Sequence, residues 1–172
     1  MPLAAARSFF FMAVIASVGI ACVLFYLERI VGLTPCPLCL LQRFFLLAFA
    51  VTCLAAALRR PSGAGLRRYA AGALVFALAG AGAATRQLWL QAQMLHADLA
   101  CHPDLLDLAR TLSWPDFLQT LLLGNSQCAR INWTLLDMSL PEWSLLAFTG
   151  MACFALWQLV RRNPRGDQRP AD

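Results

Sequence analysis

Four stretches of the chain carry almost no polar side chains: about residues 9–27, 38–58, 69–85 and 143–160. Apolar residues fill them all round, with neither helical nor strand periodicity. Each is close to the ~20 residues an α-helix needs to cross the ~30 Å hydrocarbon layer of a bilayer. The pattern predicts four membrane-spanning helices. The first run is too long for a signal peptide, and Glu28-Arg29 closes it without a small-residue cleavage pattern, so it reads as an uncleaved span. Gly72, Gly80 and Gly82 in the third run permit close helix packing.

The polar intervals are unequal. Residues 28–37 form a short loop, 59–68 a tight basic turn, 86–142 a long polar segment and 161–172 a tail rich in Arg and Pro. Within the long segment, Leu105-Leu106-Asp107-Leu108-Ala109-Arg110-Thr111-Leu112 reads as an amphipathic helix lying in the membrane interface or capping the bundle. The expected fold is an all-α membrane protein, one integral membrane domain over residues 1–172. It is a four-transmembrane-helix bundle with a long outer loop that contains a short amphipathic helix.

Composition agrees: of 172 residues, 60% are hydrophobic and 13% charged, with a mean hydropathy of +0.62. The net charge of +5 does not point to nucleic acid, because the arginines cluster beside apolar runs and no aromatic-interleaved basic patch occurs. All 14 basic residues are arginine. With four spans both termini share a side, and that side holds nine of the 14: Arg7, four within 59–68 and four within 161–172. The other side holds five arginines and seven of the nine acids. The positive-inside rule therefore places both termini in the cytoplasm.

This topology sorts the seven cysteines. Cys36, Cys39, Cys101 and Cys128 face the outer, oxidising side, where two pairs can pass disulfides by exchange. Cys22, Cys53 and Cys153 fall within spans, Cys22 as a small apolar core residue and the other two as structural residues.

The chemistry concentrates in Thr34-Pro35-Cys36-Pro37-Leu38-Cys39-Leu40-Leu41-Gln42-Arg43. If Pro37 opens the second helix, its missing N–H costs nothing there, Cys36 lies near the cap and Cys39 falls in the first turn. Orphan N–H groups and the helix dipole favour a thiolate at such a position. Arg43 follows Cys39 by four residues, one turn deeper on a shared face. An arginine inside an apolar span costs about 2.5–3.5 kcal/mol at mid-bilayer and less near an end. Arg43 either snorkels to the headgroups or serves the reactive sulfur and a polar ligand. Half of a zinc knuckle would need a second cysteine pair at similar spacing, and none exists. A metal site built from Cys36, Cys39, Cys101, His102 and Cys128 is the main rival to redox chemistry. Two purely structural disulfides would leave Arg43 unexplained.

The combination of four spans, Cys36-Pro37-Leu38-Cys39 with Arg43, and a longer loop bearing Cys101 and Cys128 resembles the bacterial disulfide bond formation protein B (DsbB) family. Cys128-Ala129-Arg130 through Trp133, and Asp137-Met138-Ser139-Leu140-Pro141-Glu142-Trp143, are also similar to the family's approach to its last helix. The resemblance implies a thiol oxidase of the bacterial inner membrane. It would reoxidise a soluble periplasmic thioredoxin-like partner, DsbA-like, and pass the electrons to ubiquinone or menaquinone, with neither metal nor nucleic acid involved. It further implies that Cys101 and Cys128 form the disulfide that exchanges with the partner, and that Cys36 and Cys39 form the pair oxidised by quinone. Cys39 would be the thiolate against the quinone, supported by Arg43. Two positions depart from the pattern. Some members carry a histidine where this chain has Ala92, and some an acid where it has Gln42. His96, one turn on from Ala92, is given no role. Vitamin K epoxide reductases share the four-helix, CxxC plan, but there the pair sits beside the last helix, whereas here it opens the second.

Overall fold

The computed structural model describes residues 2–30, 32, 36–59, 61, 64–94 and 134–160, and between the last two stretches Pro115, Gln119, Leu122, Gly124 and Cys128. Each apolar run folds as a helix: α1 (Pro2–Ile30), α2 (Pro37–Arg59), α3 (Ala64–Met94) and α4 (Leu140–Val160). All four are long and apolar enough to cross a membrane. In lipid this is the expected outcome, since a helix satisfies every backbone N–H and C=O within its own segment.

The helix ends are set by local chemistry. α2 starts at Pro37 as expected, with Cys36 as its cap: the Cys36 carbonyl accepts the Leu40 N–H at 3.1 Å. α4 begins at Leu140, ahead of the expected residue 143, because Ser139-Leu140-Pro141-Glu142 forms half of a capping box. The Glu142 carboxylate takes the backbone N–H of Ser139. α3 is the largest difference: it continues to Met94, well past the apolar run that ends at residue 85. Arg86, Gln87, Gln91 and Gln93 carry it on, since long unbranched polar side chains favour helix as well as apolar ones do. The first turns of the expected long loop are therefore helix.

A two-stranded hairpin that the sequence pattern did not suggest precedes α4. β1 (Thr134–Leu135) pairs with β2 (Met138–Ser139), with Thr134 opposite Ser139 and Leu135 opposite Met138. Its two turn residues, Leu136 and Asp137, both have positive φ (55° and 60°), the mark of a type I′ turn. Leu-Asp is an unusual pair there, and so gave no turn signal. Trp143 Nε1 donates to the Leu135 carbonyl at 3.2 Å, tying the hairpin to α4. The amphipathic helix expected over residues 105–112 lies outside the described residues.

α3 packs against α2 on one side and α4 on the other, and α1 packs on α2. α1 meets α4 through edge-on aromatic pairs, Phe9 with Trp157 (centroids 5.1 Å apart) and Phe10 with Phe154 (5.9 Å). Lipid offers no hydrophobic drive between helices, so close packing holds the bundle. Gly80 shows this directly: a Cβ there would lie 2.3 Å from the Phe148 ring of α4. A Cβ at Gly72 would meet Thr52 at an ordinary 3.6 Å, whereas Gly82 has nothing within 4 Å and takes no part in the close packing expected of it.

The core comprises Phe10, Leu46, Phe49, Cys53, Ala73, Ala77 and Phe148 with their neighbours. Outward, every helix shows large apolar side chains, including Ile15, Leu47, Val75 and Leu146, each more than half exposed and suited to acyl chains. Cys22 and Cys153 belong to this outer surface. Cys22 is therefore not the core residue expected, and Cys153 holds no structural place in the interior. Cys53, fully buried, does.

Candidate active site

The site is built on the first turn of α2. With Cys36 as cap and Pro37 as first helical residue, Cys39 is the third, and its backbone N–H points back to the cap. That N–H donates to Cys36 Sγ at 3.4 Å, so a sulfur does here what a serine or aspartate oxygen does at most helix starts. The Cys36 and Cys39 sulfurs stand 3.0 Å apart, in hydrogen-bonding contact as a dithiol. A disulfide would bring them to about 2.05 Å with little movement of this turn.

Helical geometry separates the neighbours of Cys39. Residues three and four further along fall to opposite sides of its own direction. Gln42, three on, turns with Cys39 toward α3. Arg43, four on, turns toward α1, where its guanidinium pairs with the Glu28 carboxylate. Both members of that pair are about one-third exposed. Neither snorkelling nor service to the sulfur anticipated this partner, although Glu28 closes the first apolar run and so lies at the right depth. Arg43 also lines a groove of about 300 Å³ between α1 and α2, walled otherwise by Ser17 and by apolar side chains such as Val18, Leu24, Phe25, Leu46 and Leu47.

On the α3 side, Gln87 meets the dithiol. Its Nε2 donates to Cys36 Sγ at 3.6 Å and to Cys39 Sγ at 3.5 Å, while its Oε1 accepts from Gln42 Nε2 at 2.8 Å. One turn further along α3, Gln91 Oε1 accepts from the Ser139 hydroxyl at 3.5 Å. All four of these polar residues are buried. An unpartnered buried amide costs roughly 1–3 kcal/mol, so their mutual bonding is what lets them lie inside a membrane bundle. Gln87 and Gln91 carry no motif and so are not among the candidate residues of the sequence. Their i, i+4 spacing on a helix otherwise rich in Gly and Ala was the available signal.

Cys128 arrives from outside the helices. It is 1% exposed and packs with Cys36 and Leu38, the Leu90 side chain closing the cluster. Gly124 makes the approach possible. It has a φ of +77°, and a Cβ there would lie 2.7 Å from both Leu38 and Leu90, so only glycine suits both the backbone and the space. Hydrogen bonding with Cys128, then with Cys39, together with burial, holds the Cys36 thiol well above the ordinary thiol range. In the reduced state Cys36 therefore holds its proton more tightly than an ordinary thiol does.

The structure thus brings together three of the four cysteines singled out in the sequence, Cys36, Cys39 and Cys128. Arg43 follows one turn deeper on α2, its guanidinium turned to Glu28 of α1 and its charge still acting on Cys39. Cys101, His96 and His102 lie outside the described residues. Ala92 is exposed on α3.

A multi-pass membrane bundle with a dithiol at a helix start and a third cysteine docked on it defines a class, the disulfide-forming membrane oxidoreductases. The chain matches the family model described as disulfide bond formation protein DsbB over residues 6–158. Among similar proteins, disulfide bond formation protein B of Stutzerimonas stutzeri is 43% identical over 163 residues, covering 95% of this chain and 100% of the relative. Disulfide bond formation protein B 1 of Pseudomonas aeruginosa is 41% identical over 162 residues, covering 94% and 99%. Disulfide bond formation protein B 2 of Pseudomonas entomophila is 44% identical, covering 93% and 94%. The chain belongs to the DsbB family.

Proposed function

We propose that this protein is a thiol oxidase of the bacterial inner membrane, with both termini in the cytoplasm. It reoxidises a DsbA-like dithiol oxidase of the periplasm and delivers the electrons to ubiquinone or menaquinone. The observation that carries the reading is the packing of Cys128 on Cys36 at the membrane-side start of α2. That contact is what disulfide transfer between a loop pair and a helix pair requires, because exchange needs one sulfur to reach another directly.

In this reading the Cys101–Cys128 disulfide meets the partner. Burial of Cys128 closes it to a folded protein, which favours Cys101 as the sulfur that the partner's thiolate attacks. The bond to Cys128 breaks and leaves it as a thiolate. Cys128 then attacks Cys36 of the Cys36–Cys39 disulfide, releasing Cys39 as the second thiolate. The partner's second thiolate then attacks its own first sulfur and frees Cys101, and Cys101 attacks Cys128 and frees Cys36. One disulfide has thereby moved from the helix pair to the loop pair, and the loop pair's has moved to the partner.

A quinone supplies the two-electron, two-proton sink that resets the helix pair. The chain's residues suit one: the groove between α1 and α2 is mostly apolar, with Ser17 in its wall and Arg43 as its cationic member. A guanidinium in such low-dielectric surroundings donates strong charge-assisted bonds to a ring oxygen. Glu28 holds that guanidinium near the end of α1.

The test is a stoichiometry. Purified full-length protein is mixed with a reduced thioredoxin-like periplasmic oxidase and a short-chain quinone. The reading predicts one quinone reduced per disulfide formed. Disulfide formation without quinone consumption would overturn it. Tags placed at Gly63 should stay on the cytoplasmic side and tags between His102 and Gln127 should be reached from the periplasm; the reverse would overturn the topology.

A further inference from the structure

Gln42 and Gln87 are 6% and 4% exposed, in a bundle whose interior is otherwise mostly alanine, leucine and phenylalanine. The bond from Gln42 Nε2 to Gln87 Oε1, 2.8 Å, fixes which end of the Gln87 carboxamide faces the sulfurs. Nε2 does, 3.6 Å from Cys36 Sγ and 3.5 Å from Cys39 Sγ. Seen from Nε2, two sulfurs only 3.0 Å apart subtend too narrow an angle for the two divergent hydrogens of one NH2 group. A single N–H is therefore shared, or follows whichever sulfur carries more negative charge. When Cys39 holds its proton, the S–H has a return acceptor in Gln87 Oε1 at 3.8 Å. The amide thus serves both protonation states of the pair.

We propose that Gln87, oriented by Gln42, is a positioning residue for the Cys36–Cys39 dithiol, its N–H favouring the reduced pair over the disulfide. The inference rests on the thiol-oxidase reading for its biological use, though not for its test. Its direction follows from acceptor strength. A thiol or thiolate sulfur carries more negative charge than a disulfide sulfur, so the same donor stabilises the reduced pair more. Favouring the reduced form makes the disulfide a stronger oxidant. This poises the helix pair to take electrons from the loop pair.

The experiment uses full-length protein in detergent, equilibrated with mixtures of reduced and oxidised dithiothreitol. In that exchange the Cys36–Cys39 bond breaks, two thiols form and dithiothreitol closes to its cyclic disulfide. After acid quenching and alkylation, mass spectrometry of the Cys36–Cys39 peptide gives the equilibrium constant for reduction. Gln87→Met, which keeps the shape and removes the donor, should lower that constant about tenfold. Gln87→Glu should lower it at least as far, because a carboxylate repels the thiolate it replaces the donor for. Gln42→Met leaves Gln87 in place but frees its orientation, and should lower the constant about threefold. Values within about twofold of the unaltered protein for Gln87→Met would overturn the proposal. If that variant fails to insert, unchanged values for Gln87→Glu and Gln42→Met would do the same. Dithiothreitol replaces both partner and quinone here, so a failed turnover assay would sink the oxidase reading without touching this result.

Discussion

Two cysteine environments lie along α2 and its cap, one around the buried Cys53 and one around the buried Cys36 and the half-buried Cys39. Cys53 sits in the apolar core with Phe49, Ala56 and Ala73, surrounded by groups that only fill space. Cys36 and Cys39 sit at the start of the same helix, with a backbone N–H, a glutamine N–H and a third cysteine around them. Burial alone does not decide whether a thiol reacts. Donors that stabilise its charged or reduced form do, together with a second sulfur within reach.

The sharpest way to break this contrast is to delete sulfurs one at a time. Cys36→Ser or Cys39→Ser should abolish quinone reduction, a loss of at least ~10³-fold, since no exchange chain remains. Cys53→Ala should leave turnover within about twofold and cost only about 1 kcal/mol of packing. Comparable losses at all three positions would erase the distinction.

A smaller effect is expected from the backbone that delivers Cys128. Gly124→Val places a Cβ where Leu38 and Leu90 already sit, at a φ that β-branched residues avoid. The step between Cys128 and Cys36, followed by rapid quenching, should slow by about tenfold or more, while exchange of the Cys101–Cys128 pair with dithiothreitol changes little. An unchanged transfer rate would mean that Gly124 does not set the approach.

One turn deeper, where α2 faces α1, Arg43→Ala should raise the apparent KM for quinone about fivefold in a protein that still inserts. Glu28→Gln should do less, since it removes the guanidinium's anchor and leaves its charge. An unchanged KM for both would assign Arg43 to snorkelling and the ion pair alone.

The mildest test concerns Cys36 in the fully reduced protein. At pH 8 an ordinary thiol of pKa ~8.5 is about a quarter ionised. Cys36, held protonated by Cys128, Cys39 and burial, should alkylate far more slowly than free cysteine there, gaining rate only at higher pH. A free-cysteine rate at pH 8 would contradict the geometry of the cluster.

Much of this was legible in the sequence, for physical reasons. Apolar runs of bilayer length leave a helix little alternative, and Cys36-Pro37 marks the start of α2 through the preference of proline for a first turn. The chemistry of Cys36 and Cys39 could be read from that position alone. What escaped was whatever depends on the relative rotation of helices. Spacing placed Arg43 on the face of Cys39, but α3 lies on the Gln42 side, so the polar neighbour of the sulfurs is Gln87, distant in sequence. The same holds for Cys22 and Cys153, whose outward direction is fixed by packing and not by the runs in which they lie. The extra turns of α3 escaped because their glutamines look like loop until their buried partners are known.

The proposed transfer turns on direct exchange between Cys128 and Cys36. In the Cys39→Ser protein one of the two thiols that resolve this contact is gone, Cys101 being the other. Cys36 attacking the loop disulfide at Cys128 then forms a Cys36–Cys128 bond and releases Cys101, and acid quenching with alkylation keeps Cys101 from attacking back. Non-reducing digestion and mass spectrometry of that variant should find the Cys36–Cys128 linked peptide as the main cross-link. Finding Cys36 linked chiefly to Cys101, or to the partner protein, would contradict the account.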